Sequence, residues 1–189
     1  MNDKNDLPEV RGPWLCRSRE AVYSNDWLSV SHEQVTTPAG TEGIYGVIHF
    51  KHTAVGVVAL DTQQNITLVH QFRYVLNQGS WEIPEGGCHS SEASLDCAKR
   101  ELQEEAGLCA EQWQKLLDIH TSNSVTDETA VIYLATELSN TTQSLEASES
   151  DLQVTTVPFE TALKMVDDGD ITDALSITAI YKVARLLNV

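Results

Sequence analysis

Basic residues are scarce in this chain: 12 Lys and Arg stand against 28 Asp and Glu in 189 residues, for a net charge of −16. Such a surface repels a phosphate backbone, so no nucleic-acid partner is expected. A small phosphorylated substrate stays open, because a bound cation inverts the local field. No run of 18 apolar residues occurs, and no membrane-spanning helix is expected. The opening Met1-Asn2-Asp3-Lys4-Asn5-Asp6 lacks an apolar signal region, which points to a cytoplasmic protein. Cysteine is sparse. Cys16, Cys88, Cys97 and Cys109 show no CxxC spacing, so reduced, mostly buried thiols are expected rather than zinc ligands or a disulfide framework. His49 and His52 form an HxxH, but no Glu follows the first His, and no metal site is expected there. Internal repeats and long linkers are also missing, and the length suits one domain, or one domain with a short dimerisation arm.

What is present reads as alternating strands followed by helices. Residues 1–12 look like a flexible polar leader, and 13–50 like a strand region with turns at Ser24-Asn25-Asp26 and Thr37-Pro38-Ala39-Gly40-Thr41. Ala54–Leu60 and Ile66–Phe72 are apolar, β-branched runs that predict a central hairpin. A short strand, Trp81–Ile83, leads into Pro84-Glu85-Gly86-Gly87. The period then changes: Leu95, Ala98, Leu102 and Ala106 recur at three and four residues, one face of a helix. Ser91 is positioned to cap its start and Gly107 to end it in the left-handed conformation. Strands near Lys115–Thr121 and Thr129–Thr136 follow, then a polar loop over Ser139–Asp151, a strand at Leu152–Pro158, and helices at Phe159–Asp167 and Asp173–Leu187. Mixed strands with helices at the centre and the end predict an α+β sandwich.

The chemistry concentrates between Gly86 and Leu108. Glu101, Glu104 and Glu105 stand at i, i+3 and i+4 of the predicted helix, so their carboxylates share a face. Like charges at that spacing cost about 0.2–0.5 kcal/mol each in an isolated helix. Beside a Gly-Gly turn, such a face either meets water or binds a cation. Hard divalent ions prefer oxygen ligands and bridge to substrate phosphates. A charge run alone would be read as a solvated face. Here, however, seven identical and two aliphatic positions recur at set offsets, a coincidence on the order of 10⁻¹⁰ per start position at average residue frequencies.

The stretch Gly86-x5-Glu92-x7-Arg100-Glu101-Leu102-x-Glu104-Glu105-x-Gly107-Leu108 resembles the Nudix box, G-x5-E-x7-R-E-U-x-E-E-x-G-U with U aliphatic, at every fixed position. Gln71-Phe72-Arg73-Tyr74 and Trp81-Glu82-Ile83-Pro84-Glu85-Gly86 are similar to the lead-in of the ADP-ribose pyrophosphatase and nucleoside diphosphate sugar hydrolase branch. The resemblance implies a Nudix α/β/α sandwich with a mixed central sheet and an N-terminal antiparallel strand region. It places the hydrolase domain at 51–189 and a homodimer on strands within 13–50. The implied activity is Mg²⁺-dependent cleavage of nucleoside diphosphate sugars to a nucleoside monophosphate and a sugar phosphate, with Mn²⁺ able to substitute. Members selective for ADP-ribose often carry a proline 15–16 residues past the box. Asn123-Ser124 stands there in this chain, which points to a broad range of ADP-, GDP- or UDP-sugars. The alternatives are a non-catalytic nucleotide sensor and a hydrolase of RNA 5′ ends or oxidised nucleoside triphosphates. All box glutamates are present, and the charge of −16 disfavours RNA.

By the same resemblance, Glu101, Glu105 and Glu104 are metal ligands, joined by the backbone carbonyl of Glu85. Glu92 is structural or an outer-sphere group, and Arg100 orients the glutamates. The base that activates water is expected after the box, at Glu128, the other reading being a turn acid. Arg73 suits a phosphate or, alternatively, an ion pair at a strand edge. Glu82 suits a sugar or base hydroxyl, or pairing with Arg73. Trp27 and Trp81 suit stacking on a base, or the core.

Overall fold

The computed structural model describes residues 7–89, 91–145 and 149–189. Alternation in the first third resolves into four antiparallel strands in sequential order: β1 (Glu9–Arg11), β2 (Trp14–Ser24), β3 (Leu28–Thr36) and β4 (Glu42–Phe50). Residues 1–6 of the expected leader lie outside the described residues. The rest of it is not loose: Glu9 pairs with Cys16 and Arg11 with Trp14. Charge closes this strand on the sheet, since Arg19 reaches both Glu9 (2.9 Å) and the buried Glu33 (2.5 Å).

The remaining elements are β5 (Ala54–Ala59), β6 (Asn65–Arg73), β7 (Gln78–Glu82), β8 (Glu85–Gly87), α1 (Ser94–Ala106), β9 (Leu108–His120), β10 (Thr129–Asn140), β11 (Gln153–Pro158), α2 (Phe159–Asp168) and α3 (Ala174–Leu187). They form a mixed sheet of order β8-β5-β10-β9, in which β5 and β10 run parallel, and an antiparallel sheet of order β11-β6-β7. The predicted hairpin of β5 with β6 is therefore corrected. The two strands lie in different sheets, and among the described residues they meet in the isolated bridge Leu60–Ile66.

Both faces of β5 are covered, which is why it reads as a continuous apolar run. Val55, Val57 and Ala59 face one way and pack with Val131, Tyr133 and Ala135 of β10 against Cys97, Ala98 and Leu102 of α1. Val58 and Leu60 face the other way, into a core with Ile132, Ile83, Phe159, Ile180 and Val183. The result is a helix–sheet–helix sandwich, with α1 on one side and α2 and α3 on the other.

The chain divides into two units. One runs to His52 and takes in Ser122–Glu128; the other comprises Thr53–Thr121 and Thr129–Val189. Within the first unit, Ser122–Glu128 lies along β4. Ile48 N–H donates to the Val125 carbonyl (2.9 Å), Tyr45 Oη to the Ser124 carbonyl (2.8 Å), and Asp127 binds His49 Nδ1 (2.6 Å) and Phe50 N–H (2.9 Å).

Candidate active site

Helix α1 begins later than expected. Ser91 has φ 70° and is not the cap; Ala93 precedes the first turn, and no side chain bonds to it there. The helix ends as predicted, with Gly107 at φ 63° closing onto the carbonyls of Gln103 and Leu102. This register buries Ala98 and Leu102 and turns Glu101 and Glu105 inward, so that Glu105 is 0% exposed.

Strand β8 delivers the opposing wall. It pairs with β5 through Ala54–Gly87, Val55–Gly86 and Gly56–Glu85. Glu85 N–H donates to Glu105 Oε2 at 2.9 Å, joining strand to helix. Gly86 lies against Glu101 so closely that a Cβ there would stand 2.5 Å from each carboxylate oxygen. The box glycine is therefore required by close approach.

Arg100 gathers the helix acids. Its Nε and Nη2 bind the two oxygens of Glu92 (3.1 and 3.0 Å). Its Nη1 binds Glu101 (2.7 Å) and Glu104 (2.8 Å), and its Nη2 also meets the Gly87 carbonyl (3.1 Å). This guanidinium holds the Glu92 carboxyl below its usual range. Arg73 gathers the acids on the strand side. It grips Glu82 through Nε (2.8 Å) and Nη2 (2.5 Å) and reaches Glu85 at 2.9 Å. Gln71 adds a bond to Glu82 at 3.3 Å. In this arrangement both Arg73 and Glu82 are engaged as an internal ion pair.

The remaining carboxyls are crowded and buried. Burial pushes the Glu105 carboxyl up to about 9, helped by Glu149 and Glu101. Burial likewise lifts Glu101 to about 7, with Arg100 opposing and Glu104 and Glu149 adding. Glu85 is raised well above the usual carboxylate range by burial, Asp173 and Glu82. Two buried oxygens in this cluster, Glu85 Oε2 and Glu105 Oε1, have no hydrogen-bond partner. Orphaned, crowded carboxylate oxygens suit a hard divalent cation, which supplies the missing charge and coordination. The donor set therefore fits a divalent metal.

Glu149 was not anticipated. It lies within the stretch expected to be a plain acidic loop, and nothing in its local pattern separates it from its acidic neighbours. The chain is led back to α1 by Thr141 N–H to the Gly107 carbonyl (2.8 Å), Ser144 N–H to the Glu104 carbonyl (3.1 Å) and Gln143 Nε2 to the Glu105 carbonyl (2.5 Å). The expected thiol state is also corrected: Cys88 and Cys97 form a disulfide, Cα atoms 5.2 Å apart, across the turn that enters α1. Trp81 is half-buried against the His70 ring (4.7 Å) and borders the core. Trp27, in the first unit, is largely exposed and meets the His52 ring edge-on. Glu128 belongs to the first unit, and its N–H donates to Thr126 Oγ1 (3.0 Å).

A mixed-sheet sandwich carrying this carboxylate cluster on its first helix has the architecture of a Nudix enzyme. The chain belongs to the Nudix hydrolase family: the NUDIX domain model matches residues 50–175. The model of the nucleoside diphosphate sugar hydrolase N-terminal domain matches residues 14–48. Among curated relatives, the ADP-ribose pyrophosphatase of Mycobacterium tuberculosis is 32% identical over 88% of this chain and 81% of its own length. That of Bacillus subtilis is 33% identical over 86% and 88%, and that of Escherichia coli K12 30% over 94% and 87%. A solved structure described as an ADP compounds hydrolase shares the fold with a TM-score of 0.81, at 19% identity over 90% of this chain and 92% of that one.

Proposed function

We propose that this Nudix hydrolase is a Mg²⁺-dependent pyrophosphohydrolase of nucleoside diphosphate sugars, ADP-ribose among them, releasing a nucleoside monophosphate and a sugar phosphate. The observation that carries the reading is the pair of orphaned carboxylate oxygens on Glu85 and Glu105, two residues joined by the bond from Glu85 N–H to the other Glu105 oxygen. The names borne by the curated relatives support the substrate class.

In this reading Glu101, Glu105 and Glu104 hold the metal, together with the backbone carbonyl of Glu85. A bound divalent ion neutralises pyrophosphate charge and lowers the pKa of the attacking water. Arg100 fixes the rotamers of Glu101 and Glu104, so their oxygens are oriented before substrate arrives. Glu92 anchors Arg100 and stays outside the metal shell. Arg73 holds the Glu82 and Glu85 carboxyls in place and is the phosphate contact. Glu82 is buried against Arg73 and would meet the sugar or base once that pair opens, and Trp27 or Trp81 is the aromatic candidate for the base.

The base that takes the water proton is assigned to Glu128, with Glu149 as the second candidate. Glu149 is favoured by its charge acting on both Glu101 and Glu105. Glu128→Gln and Glu149→Gln separate the two: loss of kcat with retained metal affinity marks the base. A homodimer through the first unit belongs to the same proposal, supported by the exposed apolar Val22, Tyr23, Trp27 and Ile44 on and beside its strands. So does a cytoplasmic setting, where nucleotide sugars are available.

The test is incubation of the full chain with Mg²⁺ and a panel of ADP-ribose, ADP-glucose, GDP-mannose, UDP-glucose and nucleoside triphosphates, reading monophosphate release. Release from the sugars, abolished in Glu105→Gln, establishes the activity. Binding of ADP-ribose without turnover under several divalent ions would assign a sensor instead.

A further inference from the structure

The disulfide lies inside the metal-binding motif, and its surroundings favour its reduction. Cys88 follows β8, and Cys97 lies in the first turns of α1, so the bridge closes the segment that carries Glu92. Glu92 and both sulfurs lie within 4.8 Å of one another. Arg100 Nη2 is 3.6 Å from Cys97 Sγ while also binding Glu92, and its Nη1 binds Glu101 and Glu104. Against its burial and the nearby Glu92 carboxylate, a thiolate at Cys97 would gain from the guanidinium and from the N-terminal end of a 13-residue helix. Stabilising the reduced form makes a disulfide a better oxidant, which is the mark of a labile bridge.

We propose that Cys88–Cys97 is a reversible thiol–disulfide switch that sets divalent-metal affinity through Arg100. A thiolate of an external dithiol attacks Cys88 Sγ, Cys88 being the less buried residue of the two (5% exposed against 0%). The S–S bond breaks, a mixed disulfide forms on Cys88, and Cys97 leaves as a thiolate. The second thiol of the reductant then displaces Cys88, and the reductant departs as its own disulfide. Two electrons have passed to the protein. Cys97 thiolate now competes with Glu92 and the Gly87 carbonyl for Arg100 Nη2, which shifts the guanidinium that also orients Glu101 and Glu104, and the Glu92 segment loses its covalent tie to the helix. Both changes loosen the carboxylates that the oxidised form holds in place. The inference rests on the metal-site reading above.

The test uses the full chain, oxidised and then exposed to a graded series of dithiol to disulfide ratios. Alkylation and mass spectrometry read the cysteines, and Mn²⁺ alone is the binding probe. The expected result is reversible opening of Cys88–Cys97 in the folded protein, with Mn²⁺ affinity about tenfold weaker when reduced. Cys16→Ser with Cys109→Ser should retain this response, and Cys97→Ser should lose it. A bridge that never forms, or that opens only on unfolding, overturns the proposal, as does equal or absent Mn²⁺ binding in the two states. A redox-dependent Mn²⁺ affinity with no monophosphate release in either state supports the switch and sinks the hydrolase reading.

Discussion

Replacing Gly86 with alanine isolates the site from the fold. The new Cβ would stand 2.5 Å from both oxygens of Glu101, where ordinary contact begins near 3.4 Å. The carboxyl carbon is nearer still, at 2.3 Å, so relief requires a shift of about 1.1 Å, well outside the ~0.2 Å tolerance of metal–ligand distances. Glu101 is buried and tied to Arg100 at 2.7 Å, so it cannot swing away freely. Displacing an oriented ligand shell costs roughly 10- to 100-fold in metal affinity, or about 1.4–2.8 kcal/mol. The backbone, by contrast, accepts alanine: Gly86 is an extended strand residue paired with Val55 and is not among the positive-φ glycines. Unfolding should therefore change by under about 1 kcal/mol, a Tm shift of no more than about 4 °C. Calorimetric titration with Mg²⁺ and a thermal melt together read both quantities. Wild-type metal affinity in Gly86→Ala would refute the close-approach argument. A collapse of Tm would show that the glycine serves the fold.

Glu105→Gln should retain the bond from Glu85 N–H through its amide oxygen while losing the second metal-facing oxygen, so the fold survives and kcat falls by about 100-fold or more, read by monophosphate release. Metal binding should strengthen as pH rises from about 6 to 9. In the metal-free chain Glu101 titrates near 7 and Glu105 near 9, and an entering ion must displace those protons; about one to two should be released per site at pH 7, measured by calorimetry in buffers of different ionisation enthalpy. For the metal-free chain the sign is opposite. These carboxyls keep protons that the unfolded chain has lost, so their contribution to stability fades as pH climbs from about 4.5 through 9, and saturating metal should reverse the trend in denaturant titrations. Asp61 accepts from Gln63 N–H, Asn65 N–H and Asn65 Nδ2, all at 2.8 Å, which lowers its pKa. Asp61→Ala should cost about 1–2 kcal/mol at neutral pH. That difference should close as pH falls through the depressed native value, because protonation removes the wild-type advantage; an unchanged gap at low pH would assign the loss to something else.

Much of the site is legible because its logic is local. Glu101, Glu104 and Glu105 share a face through the 3.6-residue period alone, and Leu102 and Ala98 give that helix its buried side. Gly107 stops the helix because a left-handed residue is needed there. The start was misplaced at Ser91, since a serine before a helix is a cap only when the chain geometry brings its oxygen to the first turn, and here the turn begins at Ala93. Strand periodicity likewise marks β5 and β6 as strands but says nothing about partners.

Local spacing, composition and the boxed pattern of charges determine that this chain makes a Nudix helix with clustered carboxylates, a sheet rich in β-branched residues and an acidic surface. Tertiary structure alone decides that β5 pairs with β8 and β10 rather than with β6, because both of its faces must be covered. It decides that Arg73 turns to Glu82 and Glu85, that Glu149 comes to bear on Glu101 and Glu105, and that Cys88 meets Cys97. Each of these depends on which atoms neighbour one another in space, where burial makes an unpaired charge costly, and no periodicity along the chain encodes that neighbourhood.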